Sequence, residues 1–145
     1  MKVTFCGHRD VEDYKKVKVW LYNKIEKLIS EGATEFLLGG YGKFDNIAAK
    51  TVYELKQKYP EILSVFVAAY INSTYDVNLY DCSEFPSIEN VPAKFAIVHR
   101  NKRMVDEADV VVAYVNNTFG GAAKTLEYAK RRKKSIINYY SEDTD

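Results

Sequence analysis

The chain is poor in the features that mark specialised classes. It has two cysteines in 145 residues, Cys6 in an apolar stretch and Cys82 in a polar one. No disulfide framework is demanded, and two free thiols in a cytosolic chain are expected. Cys6, His8, Cys82 and His99 do not fall into a zinc-binding spacing, so neither a metal nor a cofactor is expected. No apolar run approaches the roughly 20 residues that cross a bilayer. Met1 leads straight into a strand-like segment, without a signal-peptide pattern. The expectation is a cytoplasmic protein with no membrane partner. Charge of one sign is not in excess either: 21 Lys and Arg stand against 20 Asp and Glu, for a formal net charge of +1. A dedicated nucleic-acid binder would carry a strongly basic face, so nucleic acid is not expected as a partner, although a local basic patch is compatible with that balance. Internal repeats and low-complexity tracts are absent.

What is there is enough apolar material for one core. The chain is 47% hydrophobic and 28% charged, which suits a single globular domain. Lys2 to Cys6 reads as a buried strand, broken by Gly7-His8-Arg9. Asp10 is placed to cap a helix whose apolar face is Tyr14, Val17, Leu21, Ile25 and Leu28, at steps of three and four. Gly32 closes it. Glu35–Leu38 is a second strand, ended by Gly39-Gly40-Tyr41-Gly42, and Asp45 is a good cap for the next helix. Residues 63–69 form a third strand. Residues 70–92, with Tyr70, Tyr75 and Tyr80, form a long irregular loop of the kind that is functional or disordered. Pro92 starts a helix to about Ala108, residues 110–115 form a fourth strand, a helix runs from about Gly121 to Lys133, and residues 135–139 form a fifth strand. Strands alternating with helices predict an α/β, Rossmann-like three-layer domain over residues 1–140. Its sheet has about five parallel strands in the order 3-2-1-4-5, with helices on both faces. An acidic tail occupies residues 141–145.

In such a sheet the ligand crevice lies beyond the carboxyl ends of the strands, where the winding reverses. Three glycine-bearing strand-to-helix turns fall on that rim. Gly7 lies beside His8 and Arg9, Gly39, Gly40 and Gly42 precede Asp45, and Asn117-Thr118-Phe119-Gly120-Gly121 leads into the last helix. Each alone could be a turn that needs positive φ or close packing. Together they describe a phosphate or anion site, with glycine admitting a ligand to the unpaired N–H groups of a helix start. Arg100 falls on the apolar stripe of its helix with Ile97, Met104 and Ala108. A charge there needs a partner or an exit to water; otherwise it grips a carboxylate or phosphate at the rim. Glu127 either pairs with Arg131 one helical turn later or reaches a ribose held over Gly120 and Gly121.

The segments TFCGHR, LLGGYGKFDNIAA, HRNKRMVDEADVVVAYV and FGGAAKTLEYA, from Thr4 to about Ile137, resemble the SLOG superfamily of Rossmann-like proteins. They are most similar to its small bacterial and phage members and are related to DNA-processing-protein-A-like proteins. The superfamily includes the Lonely-guy phosphoribohydrolases, whose pattern is Arg-Lys-x-x-Met, an Asp-led strand, then Pro-Gly-Gly-x-Gly-Thr-x-x-Glu. Arg100, Met104, Asp109, Gly120, Gly121 and Glu127 keep the spacing, while Asn101, Phe119, Ala123 and Lys124 depart from it and Thr125 comes one position late. The resemblance implies Arg100 and Glu127 as the catalytic pair of an N-ribohydrolase acting on nucleoside 5′-monophosphates, and a homo-oligomer. The reading placed first is binding of a nucleotide-type small molecule, as in a sensor. Gly39, Gly40, Thr118, Gly120 and Gly121 would surround its phosphate, Arg9 and Arg100 would supply charge, and the 70–92 loop would cover the base. A scaffold with a vestigial rim is the third reading.

Overall fold

Every strand pairing in the sheet is parallel, so each connection has to cross a face before the next strand can begin. The computed structural model describes residues 1–86 and 92–141. Its elements in chain order are β1 (Lys2–Gly7), α1 (Tyr14–Ser30), β2 (Glu35–Leu38), α2 (Lys43–Lys56), β3 (Leu63–Val67), β4 (Cys82–Glu84), α3 (Ala93–Glu107), β5 (Val110–Tyr114), α4 (Gly121–Arg131) and β6 (Ser135–Asn138). The sheet order is β4-β3-β2-β1-β5-β6. The predicted three-layer architecture and the order of its five strands are therefore found, with one strand added at the edge. The addition is β4, three residues from within the segment expected to be irregular. Cys-Ser-Glu carries no apolar alternation, and a short polar strand is what a sheet edge tolerates.

The two faces of the sheet are sorted by the two-residue period of its strands. Val3, Phe5, Val110, Val112 and Tyr114 join Val17, Leu21, Ile25, Val52 and Leu55 of α1 and α2 in one core. Cys6, Val111, Ala113 and Val115 face Val105 of α3 and Ala123, Leu126 and Ala129 of α4 in another. Because β1 and β5 are covered on both sides, β5 is buried along its whole length, and its sequence reads as an unbroken apolar run.

Helix boundaries move by a few residues from the expectations. Asp13, not Asp10, caps α1: its Oδ1 accepts from Lys16 N at 3.3 Å, from a left-handed backbone. Tyr14 stays out of the apolar face and is 47% exposed. Asp45 is not a cap but lies inside the first turn of α2, where Gly42 holds the cap position. The loop expected at 70–92 is partly built against the sheet, with Tyr75 stacked on Phe66 at 4.6 Å between ring centroids and Tyr80 beside it at 5.3 Å. Residues 87–91 of that loop and residues 142–145 of the expected tail lie outside the described residues.

Gly7 sets the distance between the end of β1 and α2. A Cβ there would lie 2.3 Å from Cδ2 of Phe44. Phe44 is fully buried and stacked on Tyr114, so it has no easy retreat. Gly7→Ala is expected to cost on the order of 1–3 kcal/mol by overpacking, read as a lowered urea midpoint at unchanged slope; an unchanged midpoint would show that Phe44 moves freely.

Candidate functional site

The chain winds from β1 outward through β2, β3 and β4, then returns to the other side of β1 for β5 and β6. The winding reverses between β1 and β5, which is where an open α/β sheet forms its crevice. A cavity of about 260 Å³ lies there. Phe5, Cys6, Gly7, His8 and Arg9 line it from the end of β1, and Tyr41 and Asp45 from the approach to α2. Ile97, Arg100 and Asn101 line it from α3, and Phe119, Gly120, Gly121, Ala122 and Thr125 from the start of α4.

Arg100 is 7% exposed and its buried charge is met by backbone. Nη1 donates to the Gly39 carbonyl at 2.8 Å and to the Val67 carbonyl at 3.4 Å, while Nε donates to Asn101 Oδ1 at 2.9 Å. One guanidinium thus ties the carboxyl ends of β2 and β3 to α3. A Cβ on Gly39 would sit 3.0 Å from the guanidinium carbon, so the arginine accounts for that glycine. Burial lowers the Arg100 pKa from its ordinary value and Asp45 opposes the shift; a guanidinium has ample margin to remain charged.

Asp45 is 8% exposed. Its Oδ2 accepts from Tyr41 N at 3.2 Å. Burial pushes its carboxyl up to about 6, against the opposing pull of the Tyr41 N–H and of Arg100. Asp45 and Arg100 both line the cavity, yet no ion pair joins them among the described residues. Burial, with Asp45 adding to it, pushes the Cys6 thiol up to about 12, so Cys6 is an inert wall at neutral pH rather than a nucleophile.

The remaining rim residues divide by what explains them. Gly40 has φ +67° and a Cβ on it would meet Phe66 at 2.6 Å; Gly42 has φ +90° and would meet the Arg9 backbone at 3.0 Å. These glycines are required by the protein's own packing. Around Gly120 and Gly121 a Cβ would meet nothing within 4 Å. Gly120, at φ +89°, needs its backbone freedom, whereas Gly121 is required by neither φ nor a neighbour. The start of α4 has no side-chain cap and no acidic residue in its first turn, so its N–H groups and dipole are open to an anion. Thr125 Oγ1 donates back to the Gly121 carbonyl at 2.9 Å. His8 acts as a clasp: its Nε2 accepts from Asn116 N at 3.0 Å, joining the ends of β1 and β5. Arg9 hydrogen-bonds the Tyr41 hydroxyl and lies 5.2 Å from that ring's centroid, which makes a cation–π pair at the cavity mouth.

Among the residues expected at the site, the structure gathers Gly7, His8, Arg9, Asp45, Arg100, Gly120, Gly121 and Thr125 around one cavity. Gly39, Gly40 and Gly42 shape its walls through Arg100, Phe66 and Arg9. Asn117, Thr118 and Glu127 do not line it. Glu127 is exposed on α4, two residues from inward-facing Thr125. Tyr75 and Tyr80 pack on Phe66 rather than over the cavity, and the Tyr70 hydroxyl donates to the Ala93 carbonyl. Sequence reasoning missed Tyr41 and Asn101. Their signal was adjacency: one stands inside the glycine turn after β2, the other next to the buried arginine. Among the described residues no group of His, Cys, Asp and Glu is arranged to hold a metal, and no helix is long and apolar enough to cross a membrane.

Comparison with known proteins agrees with the fold and corrects one expectation. The model of the YspA SLOG family matches residues 6–142. No curated protein matches the chain. DNA processing protein A from Streptococcus pneumoniae superposes with a TM-score of 0.72 at 18% identity, over 99% of this chain and 52% of that one. DNA processing protein A from Helicobacter pylori, in a structure describing its single-stranded DNA binding mode, gives 0.68 at 19% identity, over 95% of this chain and 64% of that one. The molybdenum cofactor carrier protein from Chlamydomonas reinhardtii gives 0.58 at 14% identity, over 94% and 75%. The chain thus spans less than two thirds of either DNA processing protein. The expectation that near-neutral charge argues against a nucleic-acid partner does not stand, because this fold is one that holds single-stranded DNA in the Helicobacter protein. Net charge sums over the whole surface, whereas binding depends on local potential, and Lys130-Arg131-Arg132-Lys133-Lys134 is a local basic run.

The Asp45 carboxyl gives the site a pH signature. Its pKa lies near 3.8 in the unfolded chain and at about 6 in the fold, so the folded state holds the proton more tightly. The stabilisation is present in full below pH ~4 and is lost as pH rises through about 6. Two units correspond to about 3 kcal/mol at most. Relative to Asp45→Asn, the wild type is expected to lose stability between pH 4 and pH 7 in urea titrations. Parallel pH profiles for the two proteins would mean the carboxylate is solvated.

Proposed function

The chain belongs to the YspA SLOG family, and from the cavity at its strand switch we propose that it binds a nucleotide or nucleotide-derived ligand whose phosphate lies on the start of α4. The observation that carries this reading is Gly121. Neither its backbone nor any neighbour requires a missing side chain, yet it sits at the first position of an uncapped helix beside a cavity. A ligand approaching the helix N–H groups is what the vacancy suits. Arg100 adds a buried positive charge to the cavity lining, and Arg9 with Tyr41 offers a flat cationic and aromatic surface at the mouth for a base. A protein of related fold that binds single-stranded DNA and another that carries a cofactor support a ligand role for this chain. Glu127 is exposed and away from the cavity, so the role proposed is binding, without a catalytic step through that carboxylate.

Gly121→Asp tests the reading with effects of opposite sign. An acidic residue in the first turn favours the helix by about 0.3–1 kcal/mol, so the free variant is expected to melt at the wild-type temperature or above it. The same charge repels a phosphate. Melting temperatures are to be compared against nucleoside mono-, di- and cyclic phosphates, NAD, ADP-ribose and the parent nucleosides. A ligand at 100 times its Kd adds about 2.7 kcal/mol, or roughly 2–4 °C for each kcal/mol in a chain of this size. The wild type is expected to shift with a phosphorylated ligand and not with its nucleoside, and the variant with neither. A flat wild-type panel, or a variant that keeps the shift, overturns the assignment.

A further inference from the structure

Two helix starts converge on the cavity, and they are electrically unlike. The start of α2 carries its own carboxylate, Asp45, in its first turn. The start of α4 carries none. An anion is therefore drawn to α4 and turned away from α2, with Arg100 on a third wall. What the α2 side offers is an acceptor. Asp45 is more than nine-tenths buried and lines the cavity, and only Oδ2 is engaged, by Tyr41 N. A carboxylate has about four lone-pair sites, so Oδ1 and part of Oδ2 remain for a ligand. A cationic group there would meet Arg100, a second phosphate would meet the carboxylate itself, and among the described residues no group of three His, Cys, Asp or Glu is arranged to hold a metal. Neutral donors remain, and on a molecule that also carries a phosphate the hydroxyls of its sugar are the nearest ones. Paired hydroxyls on a compact ring, joined to a phosphate, describe a ribose phosphate.

We propose that Asp45 is the specificity-determining carboxylate of this site, accepting the hydroxyls of a ribose whose phosphate lies on α4, so that the cavity takes the ribose phosphate end of a ribonucleotide and discriminates against the 2-deoxy sugar. This deepens the nucleotide reading above and rests on it. The cavity volume agrees: about 260 Å³ falls below the roughly 300–1,000 Å³ of pockets that engulf a whole drug-sized ligand, so a sugar phosphate fits inside and the base stays at the mouth beside Tyr41. The carboxylate that meets the ribose is thereby on α2, and the exposed Glu127 of α4 has no part in it.

The test is calorimetric titration of ribose 5-phosphate, 2-deoxyribose 5-phosphate, AMP and inorganic phosphate into the wild type and Asp45→Asn at pH 7.5, where Asp45 is ionised. A lost hydrogen bond to a charged acceptor is expected to weaken the 2-deoxy sugar about tenfold or more in the wild type. In Asp45→Asn the ribo sugar is expected to fall to the 2-deoxy level, while inorganic phosphate binds as well or better. Equal wild-type affinity for the two sugars overturns the role of Asp45, and so does a preference that survives in Asp45→Asn. So does binding of AMP or inorganic phosphate without ribose 5-phosphate, and all three results leave the nucleotide reading standing. Absence of binding by all four overturns the ribose assignment along with any AMP or phosphate site on α4. The wild-type comparison of the two sugars needs no variant, so the result does not depend on how Asp45→Asn folds.

Discussion

The rim of this protein depends on how one buried positive charge is satisfied. Moving a guanidinium out of water costs several kcal/mol unless its hydrogen bonds and charge are met. Arg100 meets them with the Gly39 and Val67 carbonyls and the Asn101 side chain, not with an ion pair. The carbonyls at the ends of β2 and β3 are thereby held in one place, a Cβ on Gly39 would press on the guanidinium at 3.0 Å, and the glycine turn behind it brings Asp45 to the cavity. Carbonyl dipoles satisfy the donors without cancelling the charge. Asp45 lines the same cavity and acts on that charge without an ion pair among the described residues.

The other side of the switch is rigid for a different reason. Tyr114, at the end of β5, is almost wholly buried. Its hydroxyl accepts from Glu12 N at 3.1 Å and from the Tyr140 hydroxyl at 2.7 Å, and its ring stacks on Phe44. One phenol therefore ties the approach to α1, the start of α2 and the segment after β6 to the central strands. Beyond β5 the packing thins. From Thr118 to Gly121 every residue is exposed, and Phe119 is 74% exposed. The cavity thus borders strand ends that aromatic packing behind them holds in place and an exposed glycine turn.

Much of this was legible because strand and helix periods are strong signals. Arginine at a stripe position of α3 announced a buried charge, and three glycine turns at strand ends announced a rim. The part that escaped has identifiable causes. β4 lacks alternation because an edge strand with polar residues needs none. Asp45 read as a cap because capping and first-turn residues share a composition, and only burial separates them. Spacing from Gly121 to Glu127 agrees with a family pattern, but residues two apart on a helix point away from each other, so with Thr125 turned inward Glu127 faces out. The basic run at the end of α4 is visible in the sequence, but a helix C-terminus favours cations in any case, so the near-neutral charge sum outweighs it there.

Asp45 is only partly explained by its structural surroundings, where its charge supports that of Arg100. It caps one N–H, that of Tyr41, and an asparagine oxygen would do the same without desolvating a charge. A pKa raised to about 6 means that at neutral pH the fold carries an ionised carboxylate it would be more stable without. Groups held against stability in a cavity are where function resides more often than elsewhere. The charge acts on Arg100 without an ion pair, and for Asp45 itself burial outweighs the help of the Tyr41 N–H and of Arg100. The proposed ribose would give a carboxylate rather than an amide a purpose at this position, by donating hydrogen bonds to it. The uncapped start of α4 poses the complementary demand, for an acceptor anion. On the proposed reading, two such groups of opposite kind in one small cavity take a ligand with donors at one end and negative charge at the other, and they set which way round it enters.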